Sequence, residues 1–156
     1  MTPPAAARPP APAPVEPRVL ASAKLGPVAY QPEDVIRFPR GLPGFEELRE
    51  FLLVSRRECA PFVFLAALED AEVALPLLPL ALLAPGAVAA AEQAAGALGD
   101  GLDGRRACYA VVSIGPEART VLANLRAPVV LALDARRGAQ VILGDESLPV
   151  AHQLGA

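Results

Sequence analysis

The sequence predicts a mainly β domain: a small curled antiparallel sheet, barrel-like, carrying one or two short helices. Three observations predict it. Nine short apolar runs lie between residues 28 and 143, and turn-forming residues separate nearly all of them. Only two segments carry helical spacing. The chain has 156 residues, enough for a single packed core, and its apolar content is Ala, Leu and Val, at 53% hydrophobic against 4% aromatic. Many short strands in a row leave open sheet edges, and curling or closing the sheet removes them.

Taken in order, residues 1–17, "MTPPAAARPPAPAPVEP", hold seven prolines and five alanines. Such a segment buries too little apolar area to offset its ordering, so a disordered or polyproline-like tail is expected, with the folded domain spanning 18–156. "VAY" (28–30) and "DVIRF" (34–38) read as the first strands. In "FPRGLPGFEEL" (38–48), Pro39 and Gly41 suit a type I turn, and Pro43 and Gly44 suit a type II turn whose third residue needs positive φ. Phe45, Leu48 and Leu52 then fall near helical spacing, which predicts a short helix over Phe45–Phe51 with Glu46 and Glu47 at its positive end. "EFLLV" (50–54), "FVFLAAL" (62–68) and "EVAL" (72–75) read as strands.

Val73 to Ala91 is uncharged and nearly long enough to cross a bilayer. Pro76, Pro79, Pro85 and Gly86 interrupt it, however, each interior proline costing roughly 3 kcal/mol in a helix. A buried strand, a loop and a short helix fit better. The second helix is expected over Ala87–Leu98, closed by Gly99, with a flexible loop across 96–104. "CYAVVSI" (108–114), "TVLANL" (120–125), "PVVLAL" (128–133) and "AQVIL" (139–143) complete the strands. Pro128 cannot donate to a ladder and pushes Ala127 to extended geometry, so two strands are expected to break at Ala127–Pro128. The amide of Asn124 is well placed to replace the backbone partner lost there. "DARRGA" reads as a hairpin loop with Arg136 and Arg137 solvated and Gly138 in the left-handed position. Beyond it, Gln140 and Ile142 share one strand face, and Val141 and Leu143 the other.

Chemistry-bearing patterns are sparse. The net charge of −3 repels phosphate, and two Tyr with no Trp offer little stacking surface, so no direct nucleic-acid role is expected. A basic protein partner suits the charge better. The glycines of 41–44 follow no phosphate-loop spacing. Cys59 and Cys108 form no CxxC pair and read as reduced, partly buried thiols. His152 with Asp145 or Glu146, or Cys108 by itself, would be the best enzyme candidates, but no nucleophile, base and orienting group come together in sequence. Neither enzyme activity, nor a cofactor, nor a metal, nor membrane association is expected. "MTPPAAARPP" lacks an apolar signal region, which points to the cytoplasm.

Three stretches, "VIRFPRGLPGFEEL", "PFVFLAALED" and "ANLRAPVVLALDARRGAQVIL", occur in that order. Together they resemble the flagellar assembly factor FliW family over about Lys24 to Leu154. Phe38, Gly41, Leu42, Gly44, Phe45 and Glu46 carry the likeness first; Asn124, Leu125, Ala127, Pro128 and Gln140 carry it second. The chain departs from the family's usual pattern at Ala66, Ala67, Ala87 and Leu122. The resemblance implies a small β-barrel-like fold without enzyme activity. It also implies a cytoplasmic protein that binds flagellin, and that binds the translational regulator CsrA and relieves its block on flagellin mRNA. On these grounds the expected partner contacts are Arg40, Phe45, Glu46, Glu47, Glu69, Asp70, Asn124, Arg126, Arg136 and Gln140. The acidic residues among them are chosen for a basic partner, and the others for the family marks.

Overall fold

The computed structural model describes residues 17–114 and 120–154. The expected tail, apart from Pro17, lies outside the described residues. Ten strands follow in order: β1 (Arg18–Ser22), β2 (Gly26–Tyr30), β3 (Ile36–Arg37), β4 (Glu50–Ser55), β5 (Val63–Ala67), β6 (Ala74–Pro79), β7 (Arg106–Ile114), β8 (Val121–Ala132), β9 (Arg137–Gln140) and β10 (His152–Leu154). Two helices, α1 (Leu80–Leu83) and α2 (Val88–Ala97), fall between β6 and β7. No helix among the described residues is long and apolar enough to cross a membrane. The Val73–Ala91 segment is a strand, a short helix and the start of α2, as its prolines dictate.

Strands β3 to β9 form a closed ring in the order β8-β7-β6-β5-β4-β3-β9, with β9 pairing back onto β8. A ring of seven cannot alternate direction throughout. One parallel seam is required, and it falls at β3–β9, where Arg37 and Arg137 are register partners. All other pairs in the ring are antiparallel. β8 is long enough to serve two neighbours on one edge, β9 against residues 129–132 and β10 against residues 121–123.

The strands alternate between an inner and two outer cores. Phe38, Phe51, Leu65, Leu77, Val129 and Leu131 fill the barrel, where Phe38 and Phe51 meet edge to face with centroids 5.0 Å apart. Leu52, Val54, Ala66 and Ala74 face outward under the β1–β2 hairpin. Val130, Ala132, Ala110 and Ala123 face outward under α2, which presents Ala91 and Ala95 to them. Small residues on both sides of that contact let the helix lie close to the barrel, and this is where much of the alanine is used. Ala66 and Ala67, two departures from the family pattern, are fully buried and so belong to the framework.

Four expectations need correction. Phe45–Phe51 is not a helix. Gly44 takes φ +84°, the Phe45 and Leu48 N–H groups close tight turns onto Leu42 and Phe45, and Phe51 is drawn into β4 because its ring fills the barrel. Alternate burial of Phe51 and Leu52 on opposite sheet faces thus overrides a weak helical spacing. β8 does not break at Ala127–Pro128: it runs through with a bulge, four residues (125–128) spanning the step opposite Ala110. Gly138 does not take the left-handed position; Arg136 does, at φ 55°. Gly138 is needed for space instead, since a Cβ there would come within 2.5 Å of Phe38 Cζ and 2.8 Å of Leu131 Cδ2. Finally, "AQVIL" is a strand only to Gln140, although the Val141 and Leu143 amides still bond the Pro128 and Arg126 carbonyls. Val141 and Leu143 are buried and Ile142 is exposed, as alternation requires. The hairpin strand β1 and the C-terminal strand β10 were not among the strands expected from the sequence.

Candidate partner-binding site

The loop from Pro39 to Arg49 leaves β3, makes successive turns and returns into β4. Its tightest point is Gly41, at φ +63°, where a Cβ would lie 2.7 Å from the Glu46 backbone. Three sets of contacts hold the loop. The Arg49 guanidinium donates from Nη1 to the Pro39 carbonyl at 2.6 Å and from Nε to the Glu46 carbonyl at 3.0 Å. Glu69 accepts the Arg49 and Glu50 amides through Oε1 at 3.2 and 3.1 Å. Arg40 donates from Nε to Asp100 at 2.6 Å and from Nη2 to the Leu98 carbonyl, tying the loop to the end of α2. Hydrogen bonding to Asp100, with its charge second, holds the Arg40 guanidinium above its ordinary range. The Glu46 carboxyl is held below its ordinary range by its own amide and by that of Gly44.

So held, the loop presents Phe45 at 37% exposure beside a cleft of about 340 Å³. Leu42, Leu75, Val111 and Val150 supply apolar walls, and Ser113, Asn124 and Gln140 supply the polar groups. β6 and β7 help to open the cleft, since their pairing ends at Leu77–Val111, short of Leu75 and Ser113. The bulge in β8 brings in the amides. Asn124 Oδ1 accepts the N–H groups of Arg126 and Ala127 at 3.0 and 3.1 Å. Gln140 Nε2 donates to the Ala127 carbonyl at 2.8 Å. Each amide therefore spends one end on the bulge. Asn124 Nδ2 and Gln140 Oε1 make no hydrogen bond among the described residues, which leaves a donor and an acceptor on the cleft wall. That pairing matches the two groups of a peptide bond.

The structure thus brings Phe45, Asn124 and Gln140 together, although they lie up to 95 positions apart in sequence. Glu46 and Glu47 lie on the same loop, exposed. Glu69 adjoins the loop through its bonds to residues 49 and 50, and Asp70 accepts the Glu72 amide in its own turn. Arg126 is used internally: its guanidinium donates to the Leu148 and Glu146 carbonyls at 2.8 Å and fastens the segment after β9. Arg136 stands on the β8–β9 turn, away from the cleft lining. Sequence reasoning missed Arg49, Asp100, Leu75, Val111 and Val150; nothing in their local spacing marks them. A larger groove, about 640 Å³, runs between α2 and residues 142–148, but its walls are mainly small and aliphatic residues, four of them Ala, and hold none of the expected contact residues.

The enzyme candidates do not assemble. Asp145 bonds Ser147 rather than His152. Burial first, then the Glu92 charge, pushes the Cys108 thiol up to about 11. Among the described residues, no cluster of three or more His, Cys, Asp or Glu side chains could hold a metal ion.

A family model described as "FliW protein" matches residues 19–154. A flagellar assembly factor FliW of Carboxydothermus hydrogenoformans is 35% identical over 136 residues, covering 86% of this chain and 88% of its own. The flagellar assembly factor FliW of Thermosipho africanus is 32% identical, covering 84% and 92%. A crystal structure of the flagellar assembly factor FliW superimposes with a TM-score of 0.71 at 25% identity, covering 89% of this chain and 98% of that one.

Proposed function

The chain belongs to the FliW family, and from that premise we propose that it is a non-enzymatic regulator of flagellum assembly. In this reading it binds flagellin, and it binds a CsrA-type translational regulator so that flagellin mRNA is translated. Its relatives are named flagellar assembly factors, which supports the role in flagellum assembly. The two partners are those that the sequence resemblance implies.

One observation carries the docking part of the proposal: the convergence of Phe45, Asn124 and Gln140 on a single cleft. An exposed aromatic ring with apolar walls supplies area removed from water, at roughly 25 cal/mol per Å². The free amide ends of Asn124 and Gln140 supply direction, since a segment seated out of register would leave them unpaired. The acidic side chains of the loop, Glu46 and Glu47, suit a partner carrying Lys and Arg, which they would steer and orient more than bind. The action needs no bond made or broken.

The test mixes the purified chain with flagellin and with CsrA in separate titration-calorimetry experiments. A saturable complex is expected with each, weakened tenfold or more by Phe45→Ala, or about 1.4 kcal/mol. Absence of any complex with either partner at micromolar concentration would defeat the proposal. Binding that survives Phe45→Ala and Gln140→Ala would move the site elsewhere on the barrel.

A further inference from the structure

We propose a second binding site, for the carboxylate side chains of an acidic protein segment, in the basic cleft at the parallel seam of the barrel. The cleft, about 310 Å³, is lined by Arg37, Arg49 and Arg137 with Phe38, Pro39 and Glu50, and it shares no lining residue with the Phe45 cleft. The site is independent of the function proposed above and calls for a partner of the opposite charge.

Topology places the charges. The odd strand number forces one parallel pairing, and there Arg37 and Arg137 become direct register partners. Like charges directly opposite one another destabilise a strand pair. No acid among the described residues relieves them: neither guanidinium makes a hydrogen bond or ion pair there. The other register partner of Arg37 is Glu50, yet no ion pair forms between them. The third cation is fixed in advance, because Arg49 is held by the Pro39 and Glu46 carbonyls. The stem of Arg137 lies close against Gly101, where an added Cβ would be 3.1 Å from its Cδ. Three guanidinium groups thus face one lining carboxylate, on a chain whose net charge is −3.

The chemistry favours carboxylates carried by a protein. Planar guanidinium forks match carboxylate geometry in pairs. Glu50 in the lining and Glu69, bonded to the amides of residues 49 and 50, oppose a doubly charged phosphate more than a single carboxylate. A nucleic acid would want exposed aromatic faces, and the one ring here, Phe38, is fully buried in the barrel.

The experiment is fluorescence anisotropy on the full chain with a labelled hexapeptide of alternating Asp and Glu, beside its Asn/Gln counterpart, at about 50 mM salt, where surface charges are weakly screened. Saturable binding of the acidic peptide alone is expected. Arg37→Gln with Arg137→Gln should weaken it at least tenfold, while Arg18→Gln with Arg57→Gln, which removes the same charge from exposed positions elsewhere, should change it less than twofold. Arg37→Lys should restore part of the affinity. Thermal melts confirm that each variant is folded; should the double variant fail to fold, Arg137→Gln alone gives the reading. The proposal is overturned if the acidic peptide does not bind, if both double variants weaken it equally, or if the neutral peptide binds as well. Full displacement of the peptide by an equal concentration of inorganic phosphate would make this a small-anion site and overturn it too.

Discussion

Asn124 offers the sharpest test of how the bulge and the Phe45 cleft are linked. Its Oδ1 accepts two backbone N–H groups, from Arg126 and Ala127, at 3.0 and 3.1 Å. Asn124→Ala removes that acceptor and leaves both donors half-buried without a partner. An unsatisfied buried donor costs about 1–3 kcal/mol. Both residues are partly exposed, so water relieves some of this, and Gln140 still holds the Ala127 carbonyl at 2.8 Å. A loss of about 2–3 kcal/mol follows. With a urea dependence of roughly 1.5 kcal/mol per molar, the unfolding midpoint falls by about 1.5 M. Asn124→Asp keeps the acceptor and makes it charge-assisted, so the midpoint should stay close to that of the parent chain. That variant lacks Nδ2, the group left free on the cleft wall. If the proposed docking holds, partner affinity falls about tenfold at unchanged stability, a ratio worth about 1.4 kcal/mol. The chain has no Trp, so far-UV circular dichroism is the stability probe, with calorimetry for binding. An Asn124→Ala midpoint equal to that of the parent, or an Asn124→Asp variant as damaged as Asn124→Ala, would refute the reasoning.

Other perturbations follow from single geometric facts. Gly138→Ala should destabilise by about 1–3 kcal/mol through overpacking against Phe38 and Leu131, whereas Gly144→Ala, with nothing within 4 Å, should be neutral or stabilising; equal urea midpoints would contradict this. Acid should weaken the fold. Asp134 is held down by its hydrogen bond to Arg105, Glu46 by backbone amides, and Asp145 by the Ser147 hydroxyl and amide. Each folded value lies below the ordinary 3.8 or 4.5, so the stabilisation is complete above that range and is lost as pH falls through the folded value. Melting temperature should therefore drop below about pH 4.5, and Glu46→Gln and Asp145→Asn together should flatten that drop; an unchanged slope counts against it. Cys108 behaves oppositely. Its thiol is pushed up to about 11 by burial, so its stabilising effect is present below the ordinary 9.0 and is lost between 9 and 11. At pH 8 about one Cys108 in a thousand is a thiolate. Its alkylation in a Cys59→Ser chain should rise about tenfold per pH unit up to pH 10, and a rise that already bends over near the ordinary 9.0 would show the shift to be absent.

How much was legible depended on the range over which each residue acts. Turn chemistry is local, so Pro39–Gly41 and Pro43–Gly44 were readable as paired turns, and Gly44 does take the positive φ expected of it. Strand alternation is also local: it set Val141 and Leu143 on one face and Gln140 and Ile142 on the other, and the structure buries the first pair and exposes Ile142. The need for Asn124 to repair the Pro128 step was readable for the same reason, because the partner amides lie two and three residues away. The Phe45–Phe51 helix was misread because three apolar positions satisfy helical and strand spacing almost equally over so short a window, and only the barrel interior decides for Phe51. Gly138 was misread because a glycine chosen for space looks, in sequence, like one chosen for φ; the Phe38 ring that demands it is 100 positions away.

The sequence by itself determined a mainly β chain, its principal turns, the face alternation of the Gln140–Leu143 run and the family, since all of these rest on neighbours within a few residues or on motif order. The tertiary structure alone decided that seven strands close, that closure forces a parallel seam with Arg37 beside Arg137, and that Phe45, Asn124 and Gln140 share a cleft. Net charge is a sum over the whole chain and does not say where charges gather; the pairing of distant strands concentrates three arginines at one place despite that sum. Long-range pairing is set by packing and backbone hydrogen bonds among residues that carry no mark of one another in the linear order.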